Sequence, residues 1–207
     1  ELAKSLNLGP FPTPAGGFRN IAVLRLSSLG DVVLTLPVVQ ALATAWPAAQ
    51  MNYWVKEEYA DVVRFDSALT HVRSLERDAR RLEDLVSMSA ELEDCDLIVD
   101  LHGSARTRLL TFRQKATLLR LRGRRLARER WVRARWTHPA PLPHATARYA
   151  EVVAPLGIAP TAPPRVYTSE TARGWARESL AALASGRACV ALCPGARHAT
   201  KCWPEEC

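Results

Sequence analysis

Short apolar segments alternate with longer helical patterns over most of the 207 residues, and this alternation constrains the fold more than any other feature. The segments typical of strands are Ile21–Leu26, Met51–Val55, His71–Ser74, Cys95–Leu101 and Thr117–Arg122. The segments typical of helices run from about Asp31 to Trp46, then over Glu57–Phe65, Arg77–Glu93, Ala105–Arg113 and Ala145–Leu156. Strands and helices that alternate in this way predict an α/β fold, with a parallel, doubly wound sheet covered on both faces.

Two segments rich in proline and glycine divide the chain. Residues 7–17 contain three Pro and three Gly, which fits neither a helix nor a sheet, so residues 1–19 are predicted to be a flexible tail. Pro163-Pro164 is interpreted as a hinge between a domain at 20–162 and the start of a second domain at 163–207. The second segment is predicted to hold a helix at Ser169–Leu183 and a buried strand at Cys189–Cys193.

The chain shows no signal for membrane insertion or secretion. No run approaches the roughly 20 apolar residues that a bilayer-spanning helix needs. The first residues, Glu1-Leu-Ala-Lys, form neither a basic nor an apolar leader, and because Met is missing we expect a chain that is processed or cut from a longer one. The predicted localisation is cytoplasmic.

The cysteines are predicted to be reduced and buried, without a metal ion. They are five in number, Cys95, Cys189, Cys193, Cys202 and Cys207, in a chain that gives no sign of export. On a strand, Cys189 and Cys193 would lie about 13 Å apart at ~3.3 Å per residue. That separation is too large for two ligands of one zinc ion.

Basic residues are concentrated in one segment. The net charge is +7, and Ser104–Arg135 alone contains twelve Lys or Arg residues against a single acidic residue, Glu129. Such a segment fits nucleic acid, a phosphorylated glycolipid or an anionic membrane surface, with Trp131 and Trp136 as the available stacking aromatics. A solvated arginine face is the alternative interpretation.

Three loops follow predicted strands, where ligands bind in parallel sheets. In Ser27–Asp31, Gly30 would let a ligand approach the backbone, and Asp31 is either a helix-end carboxylate or a proton acceptor. Asp100–Arg106 brings His102, Ser104 and Arg106 to the same edge, but it lacks the Gly-x-Ser-x-Gly elbow of a hydrolase. Pro194–Pro204 combines glycine, hydroxyl and cationic side chains before a helix start, which suits a phosphate group.

Together these loops resemble one protein family. Arg25-Leu-Ser-Ser-Leu-Gly-Asp-Val-Val-Leu-Thr-Leu-Pro37, Asp96-Leu-Ile-Val-Asp-Leu-His-Gly103 and Pro194-Gly-Ala-Arg-His-Ala-Thr-Lys-Cys-Trp-Pro-Glu-Glu206 are similar, in order and spacing, to motifs of the heptosyltransferases of glycosyltransferase family nine. The resemblance extends from about Asn20 to Glu206. It implies a GT-B fold of two Rossmann-like domains, with the acceptor sugar in the first, ADP-heptose in the second and the active site between them.

The resemblance also implies roles for individual residues. Asp31 matches the catalytic base, and Thr200 and Lys201 match residues that hold the donor's phosphates. His198, in the same motif, is also assigned to donor binding. The acceptor, a lipid A/Kdo-type glycolipid of the lipopolysaccharide inner core, would meet a larger group: Ser28, Gly30, His102, Arg106, Arg122, Arg124 and Arg125. The transfer would invert the anomeric centre without a metal ion or another cofactor, beside the inner face of the inner membrane, with no nucleic acid involved.

Two departures and two alternatives accompany this interpretation. Cys202 stands where the family usually has a basic residue, and the chain ends before most of the donor domain, so the 207 residues alone are expected to be inactive. Another GT-B nucleotide-sugar enzyme with a different acceptor is one alternative. A basic nucleic-acid-binding module is the other.

Overall fold

A parallel five-stranded sheet forms the centre of the computed structural model, which describes residues 12–75, 82–122, 143–184, 187–193, 195–196 and 202. The strands are β1 (Asn20–Leu24), β2 (Gln50–Lys56), β3 (His71–Leu75), β4 (Leu97–Asp100) and β5 (Thr117–Arg120). Their order is β3-β2-β1-β4-β5, and every neighbouring pair is parallel. This order confirms the predicted doubly wound α/β sheet, with β1 and β4 side by side where the winding reverses.

Helices connect the strands and follow the last one. They are α1 (Leu29–Ala45), α2 (Ala60–Val63, after a 3-10 turn at Glu57–Tyr59), α3 (Leu82–Glu91), α4 (Ala105–Leu110), α5 (Ala145–Val153, continued by a 3-10 turn at Ala154–Leu156) and α6 (Glu170–Ala184). Gly157, at a left-handed φ of 74°, ends the 3-10 turn after α5. These elements lie where the sequence predicts them, and their ends differ mainly by a few residues.

The central strands β1 and β4 are buried on both faces, because side chains alternate along a strand and helices cover each face. Ile21 and Val23 of β1 belong to one apolar cluster with residues of α1 and α5. Ala22 and Leu24 belong to the other cluster, together with residues of α3 and α4. Since both sets are fully buried, β1 is a nearly continuous apolar segment, as is typical of a central parallel strand.

The chain divides into two compact units, 1–167 and 168–207. The hinge at Pro163-Pro164 and the domain limits at 162 and 163 stay predictions. In the second unit the described helix is α6. No described helix is both long enough and apolar enough to cross a membrane.

The predicted buried strand at Cys189–Cys193 is wrong. Residues 187–193 have no regular structure, and Val190 and Leu192 are 92% and 79% exposed. An apolar run becomes a strand only when another strand satisfies its backbone groups, and no described strand pairs with this one. The burial predicted for Cys189 and Cys193 is therefore also wrong, whereas that of Cys95 is confirmed. Cys202 is half-buried, and Cys207 lies outside the described residues.

Because Cys189 and Cys193 do not lie on a strand, the distance that a strand would impose between them is no longer an argument against a zinc site. Across the part of the chain that the structure describes, no three His, Cys, Asp or Glu residues lie close enough together to hold a metal ion. The absence of a metal from the reaction stays a prediction.

Candidate active site

Asp31 lies in the first turn of α1, just beyond the carboxyl end of β1. This end of the sheet is the edge at which parallel sheets bind ligands, and β1 and β4 are the strands at the reversal point. The side chain of Asp31 is 36% exposed, so solvent or a ligand can reach it. Asp31 is therefore both anchored by the fold and accessible.

Three side chains hold the Asp31 carboxylate. Arg25 places Nη2 2.6 Å from Oδ2, and the Ser28 hydroxyl donates to the same oxygen at 3.1 Å. The Tyr149 hydroxyl, from α5, donates to Oδ1 at 2.7 Å. A carboxylate has about four lone-pair sites, so these contacts leave room for one further donor, on Oδ1.

Arg25 organises this cluster from a buried position directly after β1. Its Nη1 donates to the backbone carbonyl of Leu101 at 2.7 Å, which ties it to the end of β4. Its guanidinium also lies over the Tyr149 ring, 5.4 Å from the centroid. Arg25 thus contacts the carboxylate, the phenol and the neighbouring strand end at once.

These contacts keep Asp31 ionised. Burial by itself raises the pKa of Asp31, but the hydrogen bond from Tyr149, the charge of Arg25 and the hydrogen bond from Ser28 outweigh it, so the pKa lies below the ordinary value. Burial, followed by the bond to Asp31, raises the pKa of Tyr149 to about 12, so its hydroxyl keeps its proton at neutral pH. The cluster therefore presents an anionic proton acceptor next to a neutral donor.

His102 lies in the loop that follows β4. Asp100 shapes this loop, since its Oδ1 accepts the backbone N–H groups of His102 at 3.1 Å and Gly103 at 2.8 Å. Burial and then the charge of Arg25 lower the pKa of His102, so the ring is neutral near pH 7. The charge of Asp31 raises the pKa of this imidazole and that of Arg106 lowers it, but neither outweighs the effect of burial. The Nδ1 atom of His102 is buried without a hydrogen-bond partner among the described residues.

Gly103 adopts a left-handed φ of 62°, and a Cβ atom there would lie 2.8 Å from the backbone oxygen of Leu121. Only glycine fits this position without strain. The tight turn beside His102 therefore requires a glycine at position 103.

The other predicted site residues fall into three groups. Ser28 bonds Asp31, and Gly30 has open space around it, which leaves its backbone accessible. Ser104 caps α4 in a reciprocal pair of bonds with Thr107, a structural role. Arg122 is exposed just after β5, while Arg124, Arg125, His198, Thr200 and Lys201 lie outside the described residues.

Sequence reasoning did not assign a role to two members of this cluster. Arg25 carries a usable signal, because a cation at the end of an apolar strand calls for a nearby carboxylate and Asp31 follows six residues later. Tyr149 carries none: it is 118 residues from Asp31 and lies in a helix with ordinary amphipathic spacing.

Residues 86–207, more than half of the chain, match the family model "Glycosyltransferase family 9 (heptosyltransferase)". No curated protein matches the chain.

Several solved structures share the fold at low sequence identity. A glycosyl transferase of family 9 from Veillonella parvula is 21% identical with a TM-score of 0.65, over 91% of this chain and 57% of that one. ADP-heptose lps heptosyltransferase II of E. coli is 18% identical with a TM-score of 0.58, over 89% and 57%. E. coli heptosyltransferase WaaC with ADP is 23% identical with a TM-score of 0.50, over 69% and 48%. The chain thus spans about half the length of these proteins, and they establish a GT-B-like α/β fold.

Proposed function

The chain belongs to glycosyltransferase family 9, and on that premise we propose that the whole protein transfers heptose from ADP-heptose to the inner core of lipopolysaccharide. The observation that carries the proposal is the ionised, accessible carboxylate of Asp31 at the end of β1, held by Arg25, Ser28 and Tyr149. An acceptor hydroxyl at this edge would meet a proton acceptor already fixed in place.

The proposed reaction is a single displacement. The acceptor hydroxyl donates to Oδ1 of Asp31 while its oxygen attacks the anomeric carbon of the heptose. The new C–O bond forms as the bond to the ADP oxygen breaks, the anomeric centre inverts, and the hydroxyl proton ends on Asp31. A weak base suffices, because the hydroxyl becomes acidic as its oxygen bonds to carbon.

The departing ADP carries the developing negative charge. Thr200 and Lys201, which match the family's phosphate-binding motif, are proposed to stabilise it together with His198 and the backbone N–H groups of a helix start. This arrangement requires no metal ion. The E. coli relative solved with ADP is consistent with a nucleotide donor, which we carry to this chain as part of the proposal.

Lys201→Ala is expected to weaken ADP binding at least tenfold, because a lysine meets a diphosphate as a point charge and this variant removes it. Acceptor affinity should change little. Isothermal titration with ADP and with acceptor measures both, and Arg19→Ala, which removes an exposed cation outside the basic segment, serves as the control. Equal losses for donor and acceptor would contradict the assignment of Lys201.

Charge reversal of Arg122, Arg124 and Arg125 to Glu is expected to raise KM for a phosphorylated glycolipid acceptor and to flatten its dependence on salt. Exposed charges attract an anionic acceptor through a field that is screened over about 8 Å at physiological ionic strength. KM for the donor should barely change. The control reverses three exposed arginines outside the segment, Arg19, Arg64 and Arg177.

An unchanged acceptor KM would assign the basic segment to a solvated surface.

The proposed enzyme works in the cytoplasm, at the anionic inner face of the inner membrane, and the segment would hold it there. Transfer to another acceptor with the same donor would favour a different GT-B enzyme. Salt-sensitive binding of RNA or DNA without ADP-heptose binding would favour a nucleic-acid module.

A further inference from the structure

Tyr149 reaches the Asp31 carboxylate from a distant part of the chain. It lies on α5, which packs against α1, and its ring is buried in the apolar cluster on that face of the sheet. Its hydroxyl emerges from this cluster at the carboxyl edge and donates to Oδ1 of Asp31 at 2.7 Å. The phenol is therefore fixed by the core at one end and bonded to the carboxylate at the other.

Arg25 also fixes the orientation of the Tyr149 phenol. Arg25 lies over its ring at 5.4 Å, and Arg25 itself is held by Leu101 and by Oδ2 of Asp31. The contacts among Arg25, Asp31 and Tyr149 form a closed triangle built from β1, α1 and α5. In such a triangle the carboxylate cannot rotate without breaking bonds to both partners.

The two oxygens of Asp31 consequently differ. Oδ2 accepts from Arg25 and Ser28, which occupies it and disfavours a proton there. Oδ1 accepts from Tyr149, whose bond leaves the second lone pair of that oxygen for another donor. Proton transfer from a bound hydroxyl would therefore be directed to Oδ1.

We propose that Tyr149 is the positioning residue of the catalytic base: its hydroxyl fixes the Asp31 carboxylate so that one lone pair of Oδ1 faces the acceptor hydroxyl. This inference rests on the proposed function, in which Asp31 accepts the acceptor's proton. Tyr149 acts through Asp31 and takes no proton itself, since its own pKa of about 12 keeps it protonated.

The test is Tyr149→Phe in the whole protein. Phenylalanine keeps the ring under Arg25 and in the apolar cluster, and it removes only the donor to Asp31. We expect kcat to fall about tenfold, which is the usual effect of losing a hydrogen bond to a charged group. KM for the donor should not change. We also expect the pKa of Asp31, followed by 13C NMR of the labelled carboxyl without substrate, to rise, because the bond from Tyr149 lowers it in the native protein.

The matched control is Tyr53→Phe. The Tyr53 hydroxyl is fully buried and lies 2.7 Å from Thr35 Oγ1, which donates to the Val32 carbonyl, so Tyr53 is the donor of this pair. This variant also loses one buried hydroxyl bond, but it loses none to Asp31. It should reproduce any loss of stability while leaving kcat and the Asp31 pKa near their native values.

The outcomes separate this inference from the proposed function. Heptose transfer by Tyr149→Phe at the native kcat, or an Asp31 pKa equal to that of the native protein, would overturn the positioning role. A loss of stability alone, matched by Tyr53→Phe, would likewise reduce Tyr149 to a packing residue. A native protein that transfers no heptose, but whose Asp31 pKa still rises in Tyr149→Phe, would overturn the proposed function instead.

Discussion

Asp31→Asn is expected to lower kcat of the whole protein by roughly 10²- to 10⁴-fold, the range for the loss of a general base. The amide nearly matches the carboxylate in size. With its oxygen in the Oδ2 position it still accepts from Arg25 and Ser28, and its NH2 group in the Oδ1 position can donate to the Tyr149 hydroxyl oxygen, so the site keeps its shape. It cannot take up the acceptor's proton. Steady-state assays with ADP-heptose and a lipopolysaccharide core acceptor measure the effect.

The Asp31→Asn variant should keep the native fold at some cost in stability. Arg25 loses its anionic partner but retains the Leu101 carbonyl and the Tyr149 ring. Asp61→Asn is the matched control, because Asp61 is an exposed carboxylate in the first turn of α2, paired only with exposed Arg64 in the contacts described. Transfer by Asp31→Asn at the native rate would make Asp31 a structural residue at the start of α1 and not the base.

Arg120→Met is expected to destabilise the first unit by about 2 to 4 kcal/mol. Arg120 places Nε 2.8 Å from Oδ2 of Asp100, a carboxylate that is 0% exposed, and also donates to Thr111 Oγ1. Methionine keeps the length of the side chain but leaves Asp100 buried as an anion without its cation. The two backbone N–H groups that donate to Asp100 still stabilise its carboxylate in the variant. The expected loss of stability is therefore smaller than for a buried ion pair without such bonds.

Chemical denaturation measures this loss, with Arg113→Met, at an exposed position after α4, as the control within about 0.5 kcal/mol of native. The double variant Asp100→Asn/Arg120→Met should recover part of the stability, because it removes the unpaired charge while the amide oxygen can still accept the N–H groups of His102 and Gly103. If the double variant were less stable than Arg120→Met alone, burial of an unpaired carboxylate would not be the cause.

Much of the candidate site could be predicted because it is local in sequence. Ser28 and Asp31 occupy one strand-to-helix connection, and the bond between their side chains spans three residues. His102 follows β4, the neighbour of β1 at the point where the strand order reverses, so strand order alone brings it to the same edge. Ser104 lies in the same loop, as the sequence predicts, and the structure gives it the role of capping α4.

The sequence by itself determined the alternation of strands and helices, and through it the parallel sheet, because apolar periodicity reports how each segment is buried. It also determined that Asp31 lies near the start of α1. Only the tertiary structure decided which distant side chains meet: Tyr149 reaches Asp31 because α5 packs on α1, and Arg120 neutralises Asp100 because β4 and β5 are adjacent. It also decided that the apolar run at Cys189–Cys193 has no described strand partner. The physical reason is that a pattern encodes how much surface a segment must bury, whereas pairing requires a partner whose position depends on the packing of the rest of the chain.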